Sequence, residues 1–287
     1  SVQRVRPTGA VLPDLGAAAL KPLPIARRMR GGVRRDEFVR PAHWLVLLFG
    51  DAVVPGEVLG LSAGRETRGH RFHNPQPVAI ASPAHYLDTL LAARVRADFG
   101  ARREHIRAQA MTAARAAGGD AVIDEDLLDE VAALTEWPVA LVGRFEERFL
   151  EVPAEALVSS MKEHQKYFHV VDAAGKLLPL FVATANIDSG DPAQIIAGNE
   201  RVIRPRLADA AFFYHSDRKT TLAAHREKLK TVLFQEQLGS LFDKTARVAA
   251  LAAALAPRMG ADSALAERAA MLGKSDLVSA MVLEFAD

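Results

Sequence analysis

Apolar runs paired around glycine-bearing turns stop at Asp217, and everything beyond reads as helix. This change of period constrains the fold most, because period-2 and period-3.6 patterns build different layers. Before it, 44–49 (WLVLLF) and 53–61 flank Gly50-Asp51, the pattern of a β-hairpin. Residues 167–171 and 177–185 flank a turn over 172–175 and predict a second hairpin. Short strands are expected at 78–80 and 139–142. Ser82-Pro83 opens a helix that should run to Ala117 and stop at Gly118-Gly119. Helices are also expected over 124–134, over 153–163 and from Asp191-Pro192 onward. Pro205 should kink or restart the last of these, because proline removes a backbone donor. Past Asp217 the pattern predicts helices at 218–232, 240–257, 262–272 and 275–286, and no strand. The fold class is therefore α+β. A segment over 1–24 reads as a leader or the tail of a preceding element. A mixed α+β domain follows over 25–217, and a helical domain over 218–287. Ser1 in place of Met, and a helix reaching Asp287 without a stop signal, predict an internal piece of a longer protein.

Composition narrows the function classes. With 49% hydrophobic and 25% charged residues over 287 positions, wholesale disorder is excluded. No apolar run approaches the ~20 residues of a membrane span, and the first 30 residues hold no cleavable apolar block. Cysteine is absent, which removes disulfides, thiolate zinc sites and thiol nucleophiles and fits a cytoplasmic setting. The net charge is only +1, but it is unevenly spread. Residues 1–40 carry nine Lys/Arg against three Asp/Glu, residues 120–155 two against eleven, and residues 199–230 eight against four. Solvated faces that cancel explain such zones as well as a polyanionic partner does.

No phosphate-binding glycine loop, nucleophile elbow or zinc-helix motif occurs, and no catalytic residue is assigned. Three basic clusters stand out instead. In the first, Arg65, Arg68 and Arg71 recur every third residue around His70, a spacing that can present guanidinium groups to phosphates. His70 and His73 could also ligate a metal, but no acidic third ligand is near. A basic loop with a packed Phe72 is the simpler expectation, and no metal is assigned. In the second, Lys162 and Lys166 adjoin His164 and Tyr167, whose ring could stack on a base. An exposed helix end with dipole-favoured cations is the alternative. In the third, Arg201 and Arg204 share a helical face, either as an RNA surface or as ion pairs to the acidic zone. The helical end resembles the metal-dependent HD phosphohydrolases, which place a His on one helix and a His-Asp pair on a later one. Here Lys244 or Thr245 and Ser275 occupy the two His positions, and Asp276 alone cannot hold a divalent ion.

Several segments together resemble a known family. They are Leu23-Pro-Ile-Ala-Arg-Arg-Met29, Arg68-Gly-His-Arg-Phe72, Glu136-Trp-Pro-Val139, Phe149-Leu-Glu-Val-Pro-Ala-Glu-Ala-Leu157, Gln165-Lys-Tyr-Phe168, Gly198-Asn-Glu-Arg-Val-Ile-Arg-Pro-Arg-Leu-Ala-Asp209 and Leu233-Phe-Gln-Glu-Gln-Leu-Gly239. In order and with few gaps, they resemble the beta subunit of bacterial heterotetrameric glycyl-tRNA synthetase. The resemblance implies an aminoacyl-tRNA synthetase component, a ligase of protein biosynthesis. Its partners would be a separate alpha subunit and tRNA(Gly), with no membrane. The alpha subunit would hold the ATP and glycine site, the holoenzyme would use ATP and Mg, and this region would need no cofactor of its own. The mixed domain is then expected to be B3/B4-like and the helical one a truncated HD-like scaffold. The implied role is binding and orienting tRNA; the candidate contacts, taken from the basic clusters above, are Arg65, Arg68, His70, Arg71, Lys162, Lys166, Tyr167, Arg201 and Arg204. A tRNA-dependent editing hydrolase, or a brace for the alpha subunit, are the alternatives.

Overall fold

The computed structural model describes residues 7–30 and 36–285. The class is α+β, and the chain divides into two compact units. The first comprises 1–110, 124–140 and 184–190, and the second 111–123, 141–183 and 191–287.

In the first unit, helix α1 (Thr8–Leu20) lies where a leader segment is expected. It docks on the strand Glu57–Val58 through close packing: a Cβ on Gly56 would fall 2.4 Å from Pro13. The turn at Gly50-Asp51 forms as expected and joins Leu48–Phe49 to Ala52–Val53. The chain does not close one hairpin over 44–61, however. It turns again at Leu59 and Gly60, both with positive φ, so that Glu57–Val58 pairs with Leu61–Gly64. Positive φ at both central residues is the geometry of a tight hairpin turn. Leu45–Val46 then adds to Leu61–Gly64 in parallel.

The helix expected over 82–117 is two helices, α2 (Tyr86–Ala92) and α3 (Phe99–Ala116). The break is a Schellman stop with arginine where glycine is usual. Arg94 has φ +62, its N–H reaches the Leu91 carbonyl, and the Val95 N–H reaches the Leu90 carbonyl. Asp98 then caps α3 by accepting from the Ala101 N–H at 2.7 Å. Arg102 braces the break, donating to the carbonyls of Ala97 and, from α4, of Ala132 at 2.7 Å. Helix propensity alone cannot reveal such a tertiary stop. Helix α4 (Glu125–Leu134) starts at its Asp124 cap and buries Leu127, Leu128 and Val131. With Val54, Val58, Ile80, Leu90 and Ile106 these build the first core.

A four-stranded sheet, most of whose residues belong to the second unit, has the order Asp120–Ala121, Phe168–Val171, Leu177–Ala185, Val139–Arg144. The hairpin expected over 167–185 forms in the register Phe168↔Val182 and His169↔Phe181. Asp172 fixes its turn by accepting from the N–H groups of Ala174 and Lys176. Helix α5 (Ala154–Ser159) passes into a π-helical turn, Ser160–His164. Helix α6 (Pro192–Asp217) runs on through Pro205, which lies on its exposed face. Ile203, Leu207 and Ala210 on its other face pack with Phe149, Leu157, Met161, Tyr167 and Phe181.

Beyond Asp217 come α7 (Leu222–Lys228), α8 (Leu241–Leu255), α9 (Ser263–Leu272) and α10 (Ala280–Glu284). The expectation of no strand there needs correction. Leu233–Gln235 and Gly239–Ser240 form a hairpin of three and two residues. Gly239 takes φ +82 as the chain re-enters the hairpin, and Ser240 with Asp243 forms the capping box of α8. The final segment is a 3-10 turn, Ser275–Val278, followed by α10, rather than one helix over 275–286. Ser279 caps α10, and Asp217 accepts from the Ala280 and Met281 N–H groups. Position 286 lies outside the described residues.

Candidate nucleic-acid interface

The first basic cluster begins on a strand. Glu66–Arg68 pairs with Pro77–Ala79, Thr67 pointing inward and Glu66 and Arg68 outward, as strand alternation requires. The chain then makes a tight loop. Gly69 is essential to it, because a Cβ there would sit 2.6 Å from the Asn74 amide and 2.7 Å from the Ala93 carbonyl. The interior residue of this loop is His70, only 1% exposed. Its Nε2 donates to the Asn186 carbonyl at 2.7 Å, and its Nδ1 accepts from the N–H groups of Phe72 and His73, each at 3.2 Å. His73 Nε2 accepts from the Asp188 N–H at 3.0 Å. Three of the four ring nitrogens are thus spent on the protein itself. Among the described residues no group of three His, Asp or Glu side chains converges as a metal site would require. The expected packing of Phe72 is reversed: it is 70% exposed at the loop tip, and His70 fills the interior.

Asn186 extends the support. Its side-chain oxygen accepts from the Glu136 and Trp137 N–H groups at 2.8 and 2.9 Å. Arg94 and Arg96 lie over the Trp137 ring at 5.1 and 5.3 Å, and the Arg96 N–H donates to the Glu136 carbonyl. These contacts fix the Glu136-Trp137 segment beside the loop.

The cations of this cluster have different fates. Arg65 is a clamp, donating to the carbonyls of Asp51 at 2.8 Å and Ala81 at 3.3 Å. Arg68 and Arg71 are exposed, and neither has an acidic partner among the described residues. Arg68 makes only a long contact to the Pro75 carbonyl, 3.5 Å. Between them opens a cleft of about 730 Å³ lined by His43, Trp44, Glu66, Arg68, Arg71 and Glu136. Trp44, 49% exposed, and the two carboxylates escape sequence reasoning, which reads Trp44 as the first residue of an apolar strand.

The other clusters behave differently. The Tyr167 ring stacks on Phe181 at 4.6 Å, and its hydroxyl donates to Asn199 at 2.6 Å. The ring is only 5% exposed, and burial pushes the phenol up to about 12. Lys162 and Lys166 are half-buried beside it, with φ +60 at Lys166. On α6, Arg204 pairs with Glu146 of the acidic zone at 2.7 Å, the ion-pair reading of that spacing, while Arg201 stays exposed. Other carboxylates of the acidic zone are also matched. Arg107 binds Glu125 at 2.8 Å, and Arg103 binds Glu125 and Asp129.

Among the described residues no helix is long and apolar enough to cross a membrane. In the helical end, Thr245 and Ser275, at the positions where HD enzymes carry His, are buried, and Asp276 is exposed.

A family model described as glycyl-tRNA synthetase beta subunit matches residues 1–287. Relatives described as glycine–tRNA ligase beta subunit come from Marinobacter nauticus, at 59% identity over all of this chain and 42% of the relative, and from Hahella chejuensis, at 56% over 99% and 41%. A third, from Chromohalobacter salexigens, is 57% identical over 97% of this chain and 40% of its own length. The chain therefore spans about two fifths of the length of these relatives. On this match along its whole length, the chain belongs to the glycyl-tRNA synthetase beta subunit family.

Proposed function

We propose that this chain is the part of a glycine–tRNA ligase beta subunit that holds and orients tRNA(Gly). It works in the cytoplasm beside an alpha subunit, in a heterotetramer. Residues 25–217 act as a B3/B4-like domain and 218–287 as the start of an HD-like scaffold without hydrolase chemistry. The observation that carries the reading is the pair Arg68 and Arg71, exposed and without acidic partners among the described residues, on a loop braced by His70 and Asn186. Several other arginines are neutralised by carboxylates instead, among them Arg103, Arg107 and Arg204. Exposed Phe72 adds an aromatic face at the loop tip.

The chemistry of ATP and Mg belongs to the alpha subunit in this reading. The contribution of this chain is positional. Holding the acceptor end within reach of a reacting group converts a bimolecular step into a nearly unimolecular one. His70 and Tyr167 serve as scaffold beneath the surface, Arg65 and Arg204 as clamps, and Arg68, Arg71, Lys162, Lys166 and Arg201 as the RNA-facing cations.

The test is tRNA(Gly) affinity of the full-length alpha–beta assembly across a salt series. Replacing Arg68 and Arg71 by Ala should weaken binding and reduce the slope of log affinity on log salt by ~0.7–0.9 per lost phosphate contact. An unchanged affinity and slope would reject this surface and leave the region as a brace for the alpha subunit.

A further inference from the structure

The cleft beside the loop has a lining unlike a simple phosphate track. A surface that only follows an RNA backbone needs cations. This one combines two arginines with two carboxylates and an indole: Arg68, Arg71, Glu66, Glu136 and Trp44. No Glu66 or Glu136 oxygen forms an ion pair with either arginine among the described residues. Glu66 and Arg68 share the outer face of one strand, and Glu136 is fixed from behind through its backbone by Asn186. The volume of about 730 Å³ is within the range of small-ligand sites, ~300–1,000 Å³.

We propose that this cleft receives one unpaired nucleotide, its base stacked on Trp44 and its phosphate held by Arg68 and Arg71. This rests on the RNA-holding role proposed above. The carboxylates then choose among bases. An ionised Glu only accepts hydrogen bonds. Guanine offers N1–H and N2–H side by side on its Watson–Crick edge, which one carboxylate can accept together. Adenine and cytosine offer one exocyclic amine, and uracil a single N3–H between two carbonyls that would face the carboxylates. The preference runs from guanine, through adenine and cytosine, to uracil. A duplex could not enter, because its bases have no free faces to lay on the indole. An acidic peptide would meet two carboxylates, and an apolar one would strand all four charges.

Full-length alpha–beta assembly is titrated with GMP, AMP, CMP, UMP, guanosine and inorganic phosphate, with binding read by ligand-observed NMR. The part of the binding that Trp44→Ala removes should be largest for GMP and smallest for UMP, since the nucleotide site of the alpha subunit is untouched by that change. Trp44→Ala should weaken GMP by about tenfold or more, as loss of base stacking does, whereas Trp44→Phe retains most of the affinity and controls for folding. Replacing Arg68 and Arg71 by Ala should bring GMP down to the level of guanosine. Glu66→Gln with Glu136→Gln should shrink the gap between GMP and UMP. Phosphate binding as well as GMP, or GMP being indifferent to Trp44→Ala, overturns the nucleotide pocket. So does the absence of GMP binding. If tRNA(Gly) affinity still depends on Arg68 and Arg71 in that case, the RNA-holding role survives and only the pocket fails.

Discussion

His70 Nε2 donates to the Asn186 carbonyl at 2.7 Å, joining two loops that lie 116 residues apart in the chain. The acceptor is a carbonyl, so the proton is on Nε2, and Nδ1 is free to accept from the Phe72 and His73 N–H groups. One neutral imidazole therefore satisfies three backbone groups. His70→Ala should leave them unpaired in a buried setting, at a cost of about 1–3 kcal/mol. His70→Asn, whose amide oxygen can replace Nδ1, should lose less. Hydrogen exchange at the Phe72 and His73 amides reads the effect locally. Unchanged protection in His70→Ala would show that other contacts hold the loop.

Glu125 accepts from Arg107 and Arg103, and these bonds pull its carboxyl from 4.5 down to about 2. In that interval the unfolded chain binds a proton that the folded chain does not, so stability falls as pH drops from about 4.5 to about 2. Glu125→Gln should flatten this limb and lower neutral stability by the same amount, kept modest by solvent screening, so that the two curves converge towards pH 2. Salt should shrink the difference. Parallel acid limbs for parent and variant would count against the network.

Gly143 lies under the Phe181 ring. A Cβ at 143 would stand 2.2 Å from the ring edge, closer than any relaxed contact. Gly143→Ala should destabilise by about 1–3 kcal/mol through overpacking. Phe181→Leu in the same chain should recover part of the loss, since the clashing atoms are removed. Thermal melts of the single and double variants measure this, and additive losses would mean that the two positions are uncoupled.

Local signals in the sequence account for much of the fold. Asp172 and Gly175 mark the hairpin of the second unit, and Gly118 ends α3 with φ +96 where helix-stop rules place it. What escapes is tertiary. The stop at Arg94 uses an arginine in a conformation usually left to glycine, stabilised by Arg102 reaching carbonyls of the break and of α4. No local propensity encodes that. The interface shows the same limit. Spacing finds Arg65, Arg68 and Arg71 but cannot tell a clamp on the Asp51 carbonyl from a free cation. The aromatic assignments are likewise exchanged: Phe72 reads as packed and is exposed, and Tyr167 reads as a stacking platform and is buried. Trp44, Glu66 and Glu136 come together only when the strand, the loop and the 136–137 segment are assembled.

Tyr167 provides the alkaline counterpart to Glu125. Its ring lies nearly parallel to Phe181, at 14°, and burial raises the phenol from 10.0 to about 12. Between those values the unfolded chain has released the proton while the folded chain retains it. The stability from this group is fully present below pH 10 and is lost as pH rises towards 12. Tyr167→Phe should remove this alkaline limb. At neutral pH the same variant loses the 2.6 Å bond to Asn199, whose own amide still donates to the Ile195 carbonyl at 2.7 Å. The neutral cost should be about 1 kcal/mol, the net worth of one hydrogen bond. Denaturant midpoints measured from about pH 8 to about pH 11.5, a range that brackets the lower part of the shift, separate the two effects. A scaffold role predicts a variant slightly weaker at neutral pH, flatter in alkali, and with unaltered tRNA(Gly) affinity at matched stability. A Tyr167 that contacts RNA would instead lose affinity while the melting temperature held.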